Sequence, residues 1–204
     1  MTPAEVRAAM DAKVVVVDTR PLVPFAAAHL PGALHIEFNL ADLADRTALL
    51  VPKGVQVIVH AEPEGTVAAS VGLLGDAGLH VLGDLEGGLG AWQAAGQPVE
   101  PLPLIATDRL WAELDRYLVL DVREPYEFRH GHLSGAQLLP SGDAWTGATP
   151  AAHGRPIAVF CSGHARAAFV ASLLLARGTE AALVTGGMYE WLQHGYPVAK
   201  GAAP

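Results

Sequence analysis

The sequence holds a single cysteine among 204 residues. One thiol cannot close an intrachain disulfide, so no oxidised framework holds the fold together. Basic residues are scarce: 13 Lys and Arg stand against 21 Asp and Glu, giving a net charge of −8 with no basic run to offset it. That balance argues against nucleic-acid binding and against attraction to anionic membranes, but it leaves room for a local pocket that takes a small anion. No apolar run reaches transmembrane length, because Gly, Asp and Glu interrupt each one. The opening MTPAEVRAAM lacks the basic-then-apolar order of a secretory signal. A soluble, cytoplasmic protein with no nucleic-acid or membrane partner is the expectation.

What the chain does have is apolar content, 51% of its residues, enough for a packed globule. It also says nearly the same thing twice. Residues 14–33 align without a gap on 117–136: Asp18, Arg20, Phe25, His29, Leu30, Gly32 and Ala33 fall on Asp121, Arg123, Phe128, His132, Leu133, Gly135 and Ala136. Residues 55–78 parallel 157–178, and Gly87-Gly88 with Trp92 parallels Gly186-Gly187 with Trp191. The order of matches is kept throughout, so the chain is read as two homologous domains. The boundaries are 1–98 and 107–204, joined by a proline-rich, extended linker at 99–106.

Within each half, short continuous apolar runs alternate with helical stretches. Val14 to Val17, Val55 to Val59, Leu118 to Leu120 and Ile157 to Phe160 suit strands buried on both faces of a parallel sheet. Thr2-Pro3-Ala4-Glu5 predicts a capped helix start, and Thr107-Asp108 predicts the matching cap in the second half. Arg177-Gly178 and Gly78 predict helix ends. The fold class is therefore α/β, with each domain a mostly parallel central sheet flanked by helices.

The chemistry concentrates at residues 161–166, CSGHAR. The lone cysteine stands where a buried strand turns into a helix, and the amides of such a turn favour a thiolate and anions in general. The thiol is therefore expected to lose its proton easily, helped by the permanent charge of Arg166. In an α/β sheet this is also the end of the strand at which ligands bind. An activated thiolate in an anion-binding loop points to nucleophilic chemistry on an anionic substrate.

These motifs resemble the rhodanese family of sulfurtransferases, over essentially the whole chain. The resemblance rests on Asp121-Val122-Arg123, on Glu127-Phe128, on Gly131-His132-Leu133-Ser134-Gly135-Ala136, on the loop from Cys161 to Arg166, and on Gly186-Gly187 with Trp191. It implies a thiosulfate sulfurtransferase in which Cys161 carries the sulfur as a persulfide. The donor would be a small anion, thiosulfate. The acceptor would be cyanide, a thiol or another protein, with no cofactor and no metal. Ser162, Gly163, His164, Ala165 and Arg166 would form the substrate loop, with Arg166 either orienting the donor or supporting the loop. The loop carries glycine third and histidine fourth, where the family often has glycine fourth. The first half departs further. His60 takes the place of the cysteine, the loop reads HAEPEG, and Pro24 and Ala28 replace the glutamate and glycine of the early motif. It resembles the inactive half of tandem rhodaneses.

Asp121 and Arg123 recur in the half without the nucleophile, which favours a supporting ion pair over a catalytic role. His29, His132, Trp92 and Trp191 recur likewise and are expected to pack. His130, His132, His153, Cys161 and His164 do not have the paired spacing of a zinc site. Four related readings follow. A phosphatase or an arsenate reductase resembles this fold, but such a loop holds one more residue between cysteine and arginine than the four present here. A 3-mercaptopyruvate sulfurtransferase would have a neutral loop end, against Arg166. A sulfur-relay or binding module would keep the thiol but rely on a partner protein.

Overall fold

The structure, a computed structural model, describes residues 1–147, 150, 152 and 154–201. It divides into two compact units, Met1–Pro101 and Leu102–Pro204.

The first unit begins with α1 (Pro3–Asp11), whose start is a full capping box: Thr2 Oγ1 accepts from the Glu5 amide while the Glu5 carboxylate accepts from the Thr2 amide. There follow β1 (Val15–Asp18), α2 (Leu22–Ala27), β2 (Leu34–His35), α3 (Leu43–Leu50), β3 (Gln56–His60), α4 (Val67–Asp76), β4 (His80–Asp84) and α5 (Gly88–Ala94). The strands form one parallel sheet in the order β2-β1-β3-β4.

The second unit repeats this plan with one more strand. It comprises β5 (Leu104–Ile105), α6 (Thr107–Ala112), β6 (Leu118–Asp121), α7 (Pro125–His130), β7 (Gln137–Leu138), β8 (Ile157–Phe160), α8 (Ala165–Ala176), β9 (Ala181–Val184) and α9 (Gly187–Gln193). Its parallel sheet runs β5-β9-β8-β6-β7. The central strands β6, β8 and β9 are buried at every position, as their unbroken apolar runs require. Phe128, Phe160 and Trp191 lie in the core at 0 to 1% exposure, and burial of each stabilises the unit by about 2–3 kcal/mol. Helix α8 packs on β8 and β9 and is buried continuously from Ala167 to Leu174, consistent with a helix apolar on all sides.

One local expectation is corrected. Thr107 is not the cap of α6; Ala106 holds that position, and the Thr107 hydroxyl instead donates to the Thr185 carbonyl at 2.6 Å. A long-range partner across the sheet outcompetes the local one. The proline-rich stretch makes β-pairings within each unit, which extended backbone allows: Glu100 bridges antiparallel to His29 in the first, and Leu104–Ile105 pair with β9 in the second. The backbone groups left between prolines find ladder partners.

Several repeated residues make the same contacts in each unit. Arg20 and Arg123 chelate Asp18 and Asp121, and each arginine also donates to the carbonyl of residue 28 or 131. His29 and His132 stack on Phe25 and Phe128 and bond through Nδ1 to the carbonyls of those residues. Trp92 and Trp191 donate to Pro98 and Pro197. These contacts belong to the fold.

Candidate active site

Strand β8 delivers Cys161 at its carboxyl end, and four residues later α8 begins. The amides of Gly163, Arg166 and Ala167 lie near enough to the sulfur to favour its charged form. The other side of the loop is held by the start of α9, where the Met188 amide donates to the Cys161 carbonyl at 2.9 Å and the Tyr189 amide to the Ser162 carbonyl at 3.0 Å. This close approach explains the late Gly-Gly motif. Gly187 has φ +57, and a Cβ there would lie 2.4 Å from the Cys161 carbonyl oxygen and 2.5 Å from that of Gly163.

The expectation of an easily ionised thiol is corrected in direction. Cys161 is only 2% exposed. Burial pushes its thiol above the ordinary value, and the three amides and Arg166 pull against that without reversing it. Arg166 also differs from an open anion receptor. Its guanidinium donates to both oxygens of Glu127, at 2.6 and 2.9 Å, and to Ser162 Oγ at 3.0 Å. Ser162 Oγ in turn donates to Glu127 Oε1 at 2.8 Å. Burial alone would raise the Glu127 carboxyl, but Arg166, the Glu124 amide and Ser162 bring it down to about 2. Gly163, Ala165 and the exposed His164 complete the loop. The Tyr189 ring, 68% exposed, lies 3.8 Å from where a Gly163 Cβ would stand. Asp121 and Arg123 are buried and bonded to each other, as described above. Glu127 is the participant that the sequence reading left out of the site. Its signal was present in the Glu-Phe motif, together with the loss of both the glutamate and the loop arginine in the first half.

The same place in the first unit is built differently. His60 ends β3, with Nδ1 3.0 Å from Asp18 Oδ2 and Nε2 3.3 Å from Glu62 Oε1. Glu62 Oε1 also accepts from the Leu89 amide at 3.0 Å. Burial would raise Asp18, yet His60 and Arg20 hold it far below the usual carboxylate range. A cavity of about 810 Å³ opens beside this loop, lined among others by Glu62, Glu64, Glu86 and Val67, with no basic side chain. Among the described residues no group of three His, Cys, Asp or Glu is placed to hold a metal; His153 lies outside them. No helix of the described residues is long and apolar enough to cross a membrane.

The rhodanese-like domain family matches the chain twice, over residues 2–95 and 106–194. The chain belongs to the rhodanese-like family, as a tandem pair. An uncharacterized protein of Synechocystis sp. is 31% identical over 87 residues, which cover 42% of this chain and 49% of that protein, so the chain spans about half the length of that curated relative. A rhodanese-related protein from Thermoplasma volcanium is similar in structure, with 29% identity and a TM-score of 0.46, over 48% of this chain and 97% of that one. A thiosulfate sulfurtransferase from Pseudomonas aeruginosa aligns with 100% of this chain and 44% of its own, at 23% identity and a TM-score of 0.43.

Proposed function

We propose that this protein transfers sulfane sulfur, taking the outer sulfur of thiosulfate onto Cys161 and passing it to cyanide or a thiol. The observation that carries this reading is that three backbone amides, of Gly163, Arg166 and Ala167, favour negative charge on the one thiol of the chain. Such amides stabilise negative charge on a terminal sulfur just as they would on an oxyanion. The Cys161 thiol gives its proton to solvent, and the thiolate attacks the outer sulfur of thiosulfate. The new S–S bond forms as the old one breaks, and sulfite leaves with the bonding pair. The Cys161 persulfide anion remains in the loop. Cyanide then attacks the outer sulfur, the persulfide bond breaks, and thiocyanate leaves as the thiolate is restored. Two half-reactions through one covalent intermediate give ping-pong kinetics.

Loop residues Ser162, Gly163, His164, Ala165 and Arg166 make the donor site in this reading, with Asp121 and Arg123 supporting it from below. The catalytic domain is residues 107–204. The domain at 1–98 is silent, because His60 replaces the thiol and the Glu62 carboxylate lies against it. A reduced thiol suits the cytoplasm. A second reading, relay of sulfur between proteins, is favoured by the exposed Tyr189 ring beside the loop, which offers a contact for a macromolecular acceptor.

The test is thiocyanate release from thiosulfate and cyanide. Wild type is expected to turn over, and Cys161→Ser to lose essentially all activity. Equal activity in the variant, or none in the wild type joined to Cys161-dependent hydrolysis of an aryl phosphate, would overturn the assignment.

A further inference from the structure

We propose that Glu127 is a positioning residue for the chemistry at Cys161, acting through Ser162 and Arg166 to hold the loop amides on the sulfur. This rests on the sulfur-transfer reading and adds a residue to it. Glu127 comes from α7, a different element from the loop, and its carboxylate binds the second and the last of the loop's six residues at once. Arg166 closes the triangle by donating to Ser162 as well. Of the two residues that Glu127 grips, Ser162 directly precedes Gly163, and Arg166 carries one of the three amides and directly precedes Ala167. Paired hydrogen bonds between a carboxylate and a guanidinium fix direction as well as distance. At one end, the backbone of α9 already anchors the carbonyls of Cys161 and Ser162. The Glu127 brace supplies the matching hold at the Arg166 end.

The internal repeat separates this role from a merely architectural one. The first unit keeps the Asp-Arg pair, the stacked histidine and the buried tryptophan, with the same contacts. It has lost the thiol, and with it every member of the brace: Ala61 stands in place of Ser162, Gly65 in place of Arg166 and Pro24 in place of Glu127. A unit of this plan therefore folds without the brace. What goes missing alongside the brace is the nucleophile.

The experiment uses the full chain and two readouts. The first is the pH midpoint of iodoacetamide alkylation of Cys161, followed by intact mass. The second is the rate of sulfur uptake by Cys161 from thiosulfate. In Glu127→Ala the midpoint is expected to rise by about one pH unit and uptake at fixed pH to fall about tenfold to a hundredfold. Glu127→Gln keeps an acceptor for Ser162 and Arg166 and is expected to fall between wild type and Glu127→Ala; it also serves if the alanine variant does not fold. In an S162A/R166A background, adding Glu127→Ala is expected to change either readout less than twofold, because the partners through which it acts are gone. An alkylation midpoint that stays put or falls in Glu127→Ala would overturn the proposal, as would an undiminished effect of Glu127→Ala in the S162A/R166A background. Alkylation needs no sulfur donor, so it decides the brace even for a wild type that takes up no sulfur, a result that would defeat the transfer reading alone.

Discussion

At Cys161, burial and hydrogen bonding act in opposite directions, and burial prevails. A thiol held above its ordinary value is mostly protonated at neutral pH, so the reactive fraction grows with pH. Single-turnover sulfur uptake from thiosulfate is therefore expected to rise about tenfold per pH unit through the neutral range, with a plateau only in strongly alkaline solution. Stopped-flow rates across buffers check this, and a plateau reached below neutrality would contradict it. The Asp121–Arg123 pair makes a second prediction at this scale. Both side chains are at most 4% exposed, and among the described residues Asp121 is the charged partner to which Arg123 donates. Asp121→Asn would strand a buried guanidinium, and urea denaturation is expected to show a loss of about 3–5 kcal/mol.

Among elements, the strands were the most legible. Ile157 to Phe160 is β8 to the residue, and the other apolar runs fall within a residue of β1, β3 and β6. Continuous burial leaves little freedom in where such a strand can start or stop. The cap at Thr2 could be read because both partners lie within one turn. The cap at Thr107 could not, because Thr185, distant in sequence, takes its hydroxyl. The same reason hid Glu127, which meets its loop partners 35 and 39 positions away. Direction of the thiol shift was also out of reach, since a turn between strand and helix does not say how much water the sulfur keeps. The junction of α9 with the loop carries a prediction of its own. Gly187→Ala adds a Cβ against two carbonyl oxygens at a left-handed φ. It should cost about 1–2 kcal/mol from the backbone conformation alone. The loop must also shift, so thiocyanate production should drop more than stability does. Activity equal to wild type would mean that the loop tolerates the displacement.

On the scale of the whole molecule, the two units test one another. If the thiol were the only difference between them, restoring it would restore chemistry. In His60→Cys combined with Cys161→Ser, intact mass after thiosulfate treatment is expected to show no added sulfur. Ala61, Gly65 and Pro24 supply no brace, and Glu62 keeps a negative charge beside residue 60. A gain of one sulfur atom in that variant would show that the loop backbone suffices.

Each unit finishes by pairing its tail with its own interior, Glu100 with His29 and Ala199 with His132. A module sewn shut in this way satisfies those backbone groups from within. Duplication of such a module yields two copies that can differ at the thiol position, His60 in one and Cys161 in the other, while both scaffolds go on folding.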